Sequence, residues 1–310
     1  MNLQKNVLLK NYSNYKIGGP AKFFVEIKSV EELREALKYA HDNNEKVFIL
    51  GGGTNILISD EGFNGLVIYN KIAGIKREGE NLIVGSGVLI KDLLNFCVEN
   101  SLSGFEWAGG LPGTIAGAVR GNAGAFKGEI KDSVVKVESF DMKTFVQKLR
   151  TNNECKFSYR NSIFKTKEAV LEFITRVILK LGIGDKKEIE EKIQQGIEYR
   201  NSHHPMESPS IGSIFKNISL DSLSRDLQKE FAAIIRNDPS PTVLTTKILA
   251  LCNLKGRRVG GAMISGKHPN FIVNVDNAKA ADVKALIEIA KQTVREKYNI
   301  LLEEEIIYLN

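Results

Sequence analysis

Cysteine is scarce in this chain: Cys97, Cys155 and Cys252 are the only three in 310 residues. An odd number at wide spacings supports neither a disulfide framework nor a CxxC metal site, so a reducing, cytoplasmic setting is expected. Long hydrophobic runs are missing too. No stretch approaches the ~18 apolar residues that a bilayer span needs. The segment MNLQKNVLLKNYSNYK lacks the apolar run and small-residue cleavage site of a secretory leader, so no membrane partner is expected. Histidine is sparse, and His203-His204 have no third ligand at suitable spacing, so no metal is expected. Neither GxGxxG after a strand nor GxxxxGK[ST] occurs, which disfavours a Rossmann fold and a P-loop ATPase. The net charge of +6 admits anionic partners. The lysines, however, alternate with glutamates, as in EKIQQGIEYR, and read as solvated helix faces. With no helix-turn-helix, zinc-finger or aromatic-basic pattern, no nucleic-acid partner is expected.

What is present is an ordinary globular composition, 43% hydrophobic and 26% charged, long enough for two or three compact units. Lys22–Lys28 is strand-like, and Ser29 opens a helix with Glu32 completing an S-x-x-E capping box. Leu33, Leu37 and Ala40 share one face of that helix. Val47–Leu50, Leu66–Tyr69 and Leu82–Val84 read as strands and Ile90–Glu99 as a helix. Strands follow around Val134–Phe140 and Ala169–Leu181. Glu188–Tyr199 opens a second unit, with loops at Ser208-Pro209-Ser210 and Asp238-Pro239-Ser240-Pro241. Ala278–Tyr298 is the clearest amphipathic helix, aligning Val283, Leu286, Ile287, Ala290 and Val294. Ile300–Leu309 closes as a strand. The pattern is α+β or mixed α/β, in at least two domains.

Two glycine-rich segments carry the first chemical signal. Val47–Leu50 runs directly into Gly51-Gly52-Gly53-Thr54-Asn55. Such a loop can adopt positive φ and bring successive amide groups against a pyrophosphate. A tight turn between strands is the alternative for this motif alone. The second segment, Ala108–Gly128, is AGGLPGTIAGAVRGNAGAFKG, dense in small residues and poor in charge. It suggests a backbone pressed against a large flat ligand, with a close helix-to-sheet contact as the alternative. Together they favour a flavin or dinucleotide site.

GGGTNILI (Gly51–Ile58), AGGLPGTIAGAVRGNAGAF (Ala108–Phe126), FSYRNSIFK (Phe157–Lys165), PSIGSIFKN (Pro209–Asn217), LKGRRVGGAMIS (Leu254–Ser265), HPNFIVN (His268–Asn274) and LLEEEI (Leu301–Ile306) occur in that order. The ordered set resembles the UDP-N-acetylenolpyruvoylglucosamine reductases of peptidoglycan synthesis from about Tyr12 to Leu309. The resemblance implies an α+β fold with a two-lobed FAD-binding domain of the vanillyl-alcohol-oxidase/PCMH type over residues 1–182. A linker or helix would follow over 183–199, a substrate domain over 200–297, and a C-terminal strand over 298–310 returning to the active site. The spacing from Tyr159-Arg160 to Gly212-Ser213 matches the family's shorter subtype, which lacks an inserted tyrosine loop.

The implied activity is that of a UDP-N-acetylmuramate dehydrogenase. It would be a cytoplasmic monomer with FAD and NADPH as cofactors and UDP-N-acetylglucosamine enolpyruvate as substrate. The flavin cradle implied by the motifs comprises Gly51, Gly52, Gly53, Thr54, Asn55, Gly110, Pro112, Gly113, Thr114, Gly117, Asn122, Ala123, Gly124 and Ala125. Arg160 matches the cation beside the substrate carboxylate, where a planar guanidinium can bind both oxygens. Ser213 matches the general acid, and Glu305 the C-terminal catalytic glutamate. Tyr159, Lys216 and Asn217 are implied at the substrate, the last two as support for Ser213. Without the family, Tyr159-Arg160 reads as a surface salt-bridge former and Ser213 as a turn or cap serine. On a strand Glu303 and Glu305 share a face and Glu304 points away. His204, Ile218 and His268-Pro269-Asn270 depart from the usual pattern near the uridine diphosphate. Another FAD-dependent oxidase of the same fold and a non-catalytic nucleotide-binding protein are the competing readings.

Overall fold

The computed structural model describes residues 1–237 and 240–310. Asp238 and Pro239, half of the loop expected at Asp238-Pro239-Ser240-Pro241, lie outside the described residues. The chain divides into two compact units, neither continuous in sequence. The first comprises Met1–Val7, Ala21–Gly52 and Asn64–Arg200. The second comprises Leu8–Pro20, Gly53–Phe63 and Asn201–Asn310.

The first unit has two separate hydrophobic cores and hence two lobes. One lobe is a four-stranded sheet of β1 (Gln4–Leu8), β2 (Pro20–Ile27), β3 (Val47–Leu50) and β5 (Phe63–Asn70), in the order β1-β2-β5-β3. The strands β3 and β5 run parallel, with Val47 opposite Leu66. Helix α1 (Val30–Asp42) covers this sheet with Leu33, Ala36, Leu37 and Ala40. Each fully buried leucine or isoleucine contributes about 1.5–3 kcal/mol. The Ser29 hydroxyl accepts the Glu32 N–H at 3.2 Å, as the capping signature requires. The return bond differs from the expected box: the Glu32 carboxylate takes the N–H of Lys28 at 2.6 Å, one residue before the cap.

The second lobe is an antiparallel sheet of β6 (Ile75–Glu78), β7 (Asn81–Gly85), β8 (Val134–Asp141), β9 (Gln147–Thr151) and β10 (Glu172–Lys180), in the order β9-β8-β10-β7-β6. The strand expected over Ala169–Leu181 starts only at Glu172, because 166–172 is spent on tight turns: Val170 N–H bonds Thr166 O at 2.8 Å and Glu172 N–H bonds Ala169 O at 3.0 Å. Helices α2 (Ile90–Glu99) and α3 (Ile115–Gly121) place Leu93, Leu94, Ile115 and Val119 against Val137, Val177 and Leu179. The segment expected as a linker or helix forms most of α4 (Lys186–His203), and its Ile189 and Ile193 enter this core. The buried Glu172 carboxylate bonds Arg150 at 2.5 and 2.9 Å, Lys148 at 2.9 Å and Ser139 at 2.7 Å. Against the cost of burial, these bonds hold its pKa down at about 2.

In the second unit the core forms around the C-terminal helix Ala280–Tyr298. All five residues aligned by periodicity, Val283, Leu286, Ile287, Ala290 and Val294, are buried. Asp60 caps this helix from far away in sequence, accepting Ala280 N–H at 2.9 Å and Ala281 N–H at 3.2 Å, where a carboxylate also favours the positive end of the helix dipole. Strand β4 (Ile56–Ile58), wholly buried, pairs in parallel with the C-terminal strand Ile307–Leu309. That strand is shorter than the expected Ile300–Leu309; upstream of it the chain makes a single antiparallel bridge, Phe215 with Glu304.

Candidate active site

The glycine-rich loop expected to cradle flavin starts where β3 ends. A Cβ built on Gly51 would lie 3.0 Å from Thr114 Oγ1, and one on Gly52 2.9 Å from Gly113 Cα. The two glycine-rich segments therefore meet backbone to backbone at Gly52 and Gly113, an approach that any side chain at Gly52 would block. Gly113 is itself left-handed at φ +114°, and its carbonyl accepts the first N–H of α2, from Ile90, at 3.0 Å. Thr114 caps α3 through its hydroxyl, which accepts Gly117 N–H at 3.3 Å. Pro112 and Gly117 remain exposed. Clustered amides, close packing and positive φ fit the adenine-dinucleotide part of FAD. In the second unit Gly53 sits at φ +64°, and a Cβ there would fall 1.9 Å from Tyr12 O. Thr54 and Asn55 follow it before β4 begins.

The C-terminal half of the second glycine segment is fixed by Asn122. It is fully buried and left-handed at φ 42°, closing α3. Its side chain donates to Ser158 O at 3.0 Å and accepts Lys131 N–H at 3.3 Å. Ala123 accepts Ile130 N–H at 2.9 Å, while Gly124 and Ala125 form a short ladder with Gly128 and Glu129.

Tyr159 and Arg160 are the two corner residues of a hairpin closed by Ser158 and Asn161, whose backbones exchange bonds of 3.1 and 3.0 Å. Arg160 occupies the left-handed region at φ 53°, which costs a non-glycine residue about 1–3 kcal/mol. Its guanidinium donates to Gly124 O at 2.9 Å and lies 5.2 Å from the Tyr159 ring centroid, and its carbonyl accepts Lys165 Nζ at 2.7 Å. Arg160 is thus joined to the glycine segment that Asn122 also holds. A second guanidinium, unmarked in the sequence, belongs to the same unit. Arg200 on α4 donates through Nε to Gly109 O at 2.9 Å and lies 5.5 Å from the Phe126 ring centroid. Burial, with the Arg160 charge nearby, lowers its pKa to about 10. Only the small residues Gly109 and Gly110 at the facing loop hint at it: a Cβ on Gly110 would fall 2.8 Å from Arg200 Cδ.

In the second unit, Ser213 forms an isolated antiparallel bridge with Phe271. Its neighbours are held by Asn270, which is 3% exposed. The Asn270 carbonyl accepts Ile214 N–H at 2.8 Å, and its side chain both accepts Phe215 N–H at 3.0 Å and donates to Phe215 O at 2.8 Å. Glu305 lies on the next strand segment, its N–H bonding Ile214 O at 2.8 Å. Ser213 and Glu305 are therefore brought onto adjacent segments of one unit. Of the three consecutive glutamates, Glu303 pairs its carboxylate with Lys216 and accepts Lys216 N–H at 2.9 Å. Glu304 takes Lys291 and the Tyr308 hydroxyl. Burial and the Glu304 charge raise the Tyr308 pKa, so its phenol stays a donor. Asn217 accepts Thr245 N–H at 3.3 Å and Lys216 O accepts the Thr245 hydroxyl at 2.6 Å, so both residues help seat the helix Thr245–Leu251. The departures at His204 and His268 come together: His204 lies 5.2 Å from His268 and 5.0 Å from Phe271, ring to ring. Burial pulls the His268 pKa down to about 4, leaving a neutral imidazole.

Among the described residues no His/Cys/Asp/Glu group could hold a metal ion, and no helix is long and apolar enough to cross a membrane. Cys97 and Cys155 are buried, and burial pushes both thiols up to about 12.

Residues 21–149 match the family model described as FAD binding domain. With the Gly52–Gly113 contact and the two lobes, this makes the chain an FAD-binding oxidoreductase of α+β fold. Residues 204–309 match the C-terminal domain of UDP-N-acetylenolpyruvoylglucosamine reductase. A curated protein of that name from Clostridium tetani is 36% identical, the match covering 99% of this chain and 92% of the relative. One from Caldanaerobacter subterraneus is 35% identical over 98% and 92%. The solved structure of the Thermus caldophilus enzyme is 31% identical, has a TM-score of 0.77 and covers both chains completely. The chain belongs to the UDP-N-acetylenolpyruvoylglucosamine reductase family.

Proposed function

We propose that this protein reduces UDP-N-acetylglucosamine enolpyruvate to UDP-N-acetylmuramate, using NADPH and FAD, with Arg160, Ser213 and Glu305 managing the charge and the proton. FAD, when bound, supplies the hydride transfer, taking it from NADPH and passing it to the terminal vinyl carbon of the substrate. Negative charge then develops on the adjacent carbon and spreads onto the carboxylate. Arg160 binds that carboxylate, and its planar fork favours the form in which both oxygens carry charge. Ser213 gives its hydroxyl proton to the adjacent carbon and recovers one from solvent. Glu305 interacts with the carboxylate as the charge grows. Residues within 1–182 hold the flavin, and residues within 200–297 hold the nucleotide sugar, with Tyr159, Lys216 and Asn217 in support. The enzyme works as a cytoplasmic monomer, eluting with the mass of one chain.

The observation that carries the reading is the backbone bond from Glu305 to Ile214, which seats the glutamate one residue from Ser213 on a neighbouring segment. A general oxidase has no use for an acid and a carboxylate paired in this way. The test separates the two half-reactions. The purified protein should be yellow, absorbing near ~450 nm as bound oxidised flavin does. Anaerobic NADPH should bleach it, and the enolpyruvyl nucleotide sugar should restore the colour. A flavin that bleaches and recovers only with oxygen would leave an oxidase of the same fold.

A further inference from the structure

We infer that Asn55 is a positioning residue for Glu305, tying the first glycine-rich loop to the catalytic carboxylate; this rests on the role of Glu305 proposed above. The GGGTN motif reads as a cofactor loop, in which the asparagine would serve the flavin. The structure commits its amide elsewhere: Asn55 Nδ2 donates to Glu305 O at 3.0 Å. The Asn55 carbonyl accepts Ile307 N–H at 3.0 Å, opening the parallel ladder between β4 and the C-terminal strand. One residue therefore bonds the backbone at Glu305 and again two residues on.

Those bonds pin Glu305 on the edge facing β4, while Ile214 and Lys216 pair with the same segment on its other edge. Three glutamates stand side by side, and regular pairing with β4 begins only at Ile307. A slip of one residue would exchange Glu305 for a neighbour and turn its side chain to the other face. The neighbours are bound separately, Glu303 to Lys216 and Glu304 to Lys291 and Tyr308. At Glu305 the backbone carries the constraint, Ile214 O on its N–H and Asn55 Nδ2 on its carbonyl. An aspartate at position 55 has the same shape but no donor, and would face the Glu305 carbonyl oxygen with a charged oxygen.

The test compares Asn55→Asp, Asn55→Ala and, in parallel, Glu305→Gln. In both Asn55 variants the rate of flavin reduction by NADPH, taken on the flavin-loaded fraction, is the reference. Reoxidation by the enolpyruvyl nucleotide sugar should slow ~10–100-fold, as expected for losing a bond that orients a reacting group, with little change in KM. Normal reoxidation, or loss of flavin in step with loss of activity, overturns the inference. Hydrogen exchange on the unmodified protein supplies a readout independent of the variants. The Glu305 and Ile307 amides should be protected like those of Leu57 and Ile58, and rapid exchange at the first pair overturns the inference. If Glu305→Gln keeps full reoxidation, the role of Glu305 itself fails; if that variant is slow and Asn55→Asp is not, only the positioning by Asn55 fails.

Discussion

The two units hold the residues proposed for catalysis by opposite means. In the first, Arg160 is presented from the corner of a two-residue hairpin, in a left-handed conformation that an arginine does not favour. In the second, Ser213 and Glu305 sit in extended chain whose backbone is tied to Phe271, Ile214 and the Asn55 side chain. A strained corner projects a long side chain and fixes its base within a few atoms, at a cost in stability. Extended pairing imposes no strain but depends on partners far away in sequence. The difference teaches where each site is vulnerable: the first to a change of side chain, the second to a loss of register.

The sharpest separation comes from Ser213→Ala, which should slow reoxidation by the substrate by ~10³-fold or more, within the range for a lost general acid, while flavin reduction by NADPH is spared. Equal slowing of both steps in stopped-flow traces would remove Ser213 from the proton-donor role. Arg160→Lys keeps the charge but not the fork, and should lower kcat/KM for the nucleotide sugar by ~10²-fold. Asn270→Ala attacks the register instead. It leaves the N–H and C=O of buried Phe215 without their partner, which costs about 1–3 kcal/mol each and should lower the urea midpoint. Smallest is the effect of Arg160→Gly on stability. Relief of the left-handed strain should raise the midpoint by about 1 kcal/mol equivalent, offset by the lost bond to Gly124, while activity disappears. A large destabilisation would break the comparison, because Arg160 would then be held for the fold as much as for chemistry.

Local order was legible in the sequence wherever one turn or one face decides the outcome. The Ser29 cap, the α1 stripe of Leu33, Leu37 and Ala40, and the Ile90–Glu99 helix came out with their expected residues. The C-terminal strand did not, because its length depends on how far β4 and the Ser213 segment accompany it, and hydrophobic alternation carries no information about either. The motifs suggest Arg160, Ser213 and Glu305 through family resemblance, whereas isolated residues would not. Arg200 and Asn270 were missed for one physical reason. Arg200 acts on a carbonyl 91 positions away and Asn270 on a backbone 55 positions away, so neither has a local signature. Asn55 illustrates the converse: its motif draws attention to the backbone, while its side chain works at a separation of 250 residues.

The pairing of β4 with the final strand also bears on the order in which the protein can be made. Ile56, Leu57 and Ile58 leave the ribosome long before their ladder partners Ile307–Leu309. Throughout elongation a wholly apolar edge waits without its mate, the kind of segment that chaperones shield and that aggregates when they do not. Asp60, two residues further on, likewise waits for the helix that it caps. Emergence of Ile307–Leu309 is therefore the event that completes the second core and sets Glu305 in place.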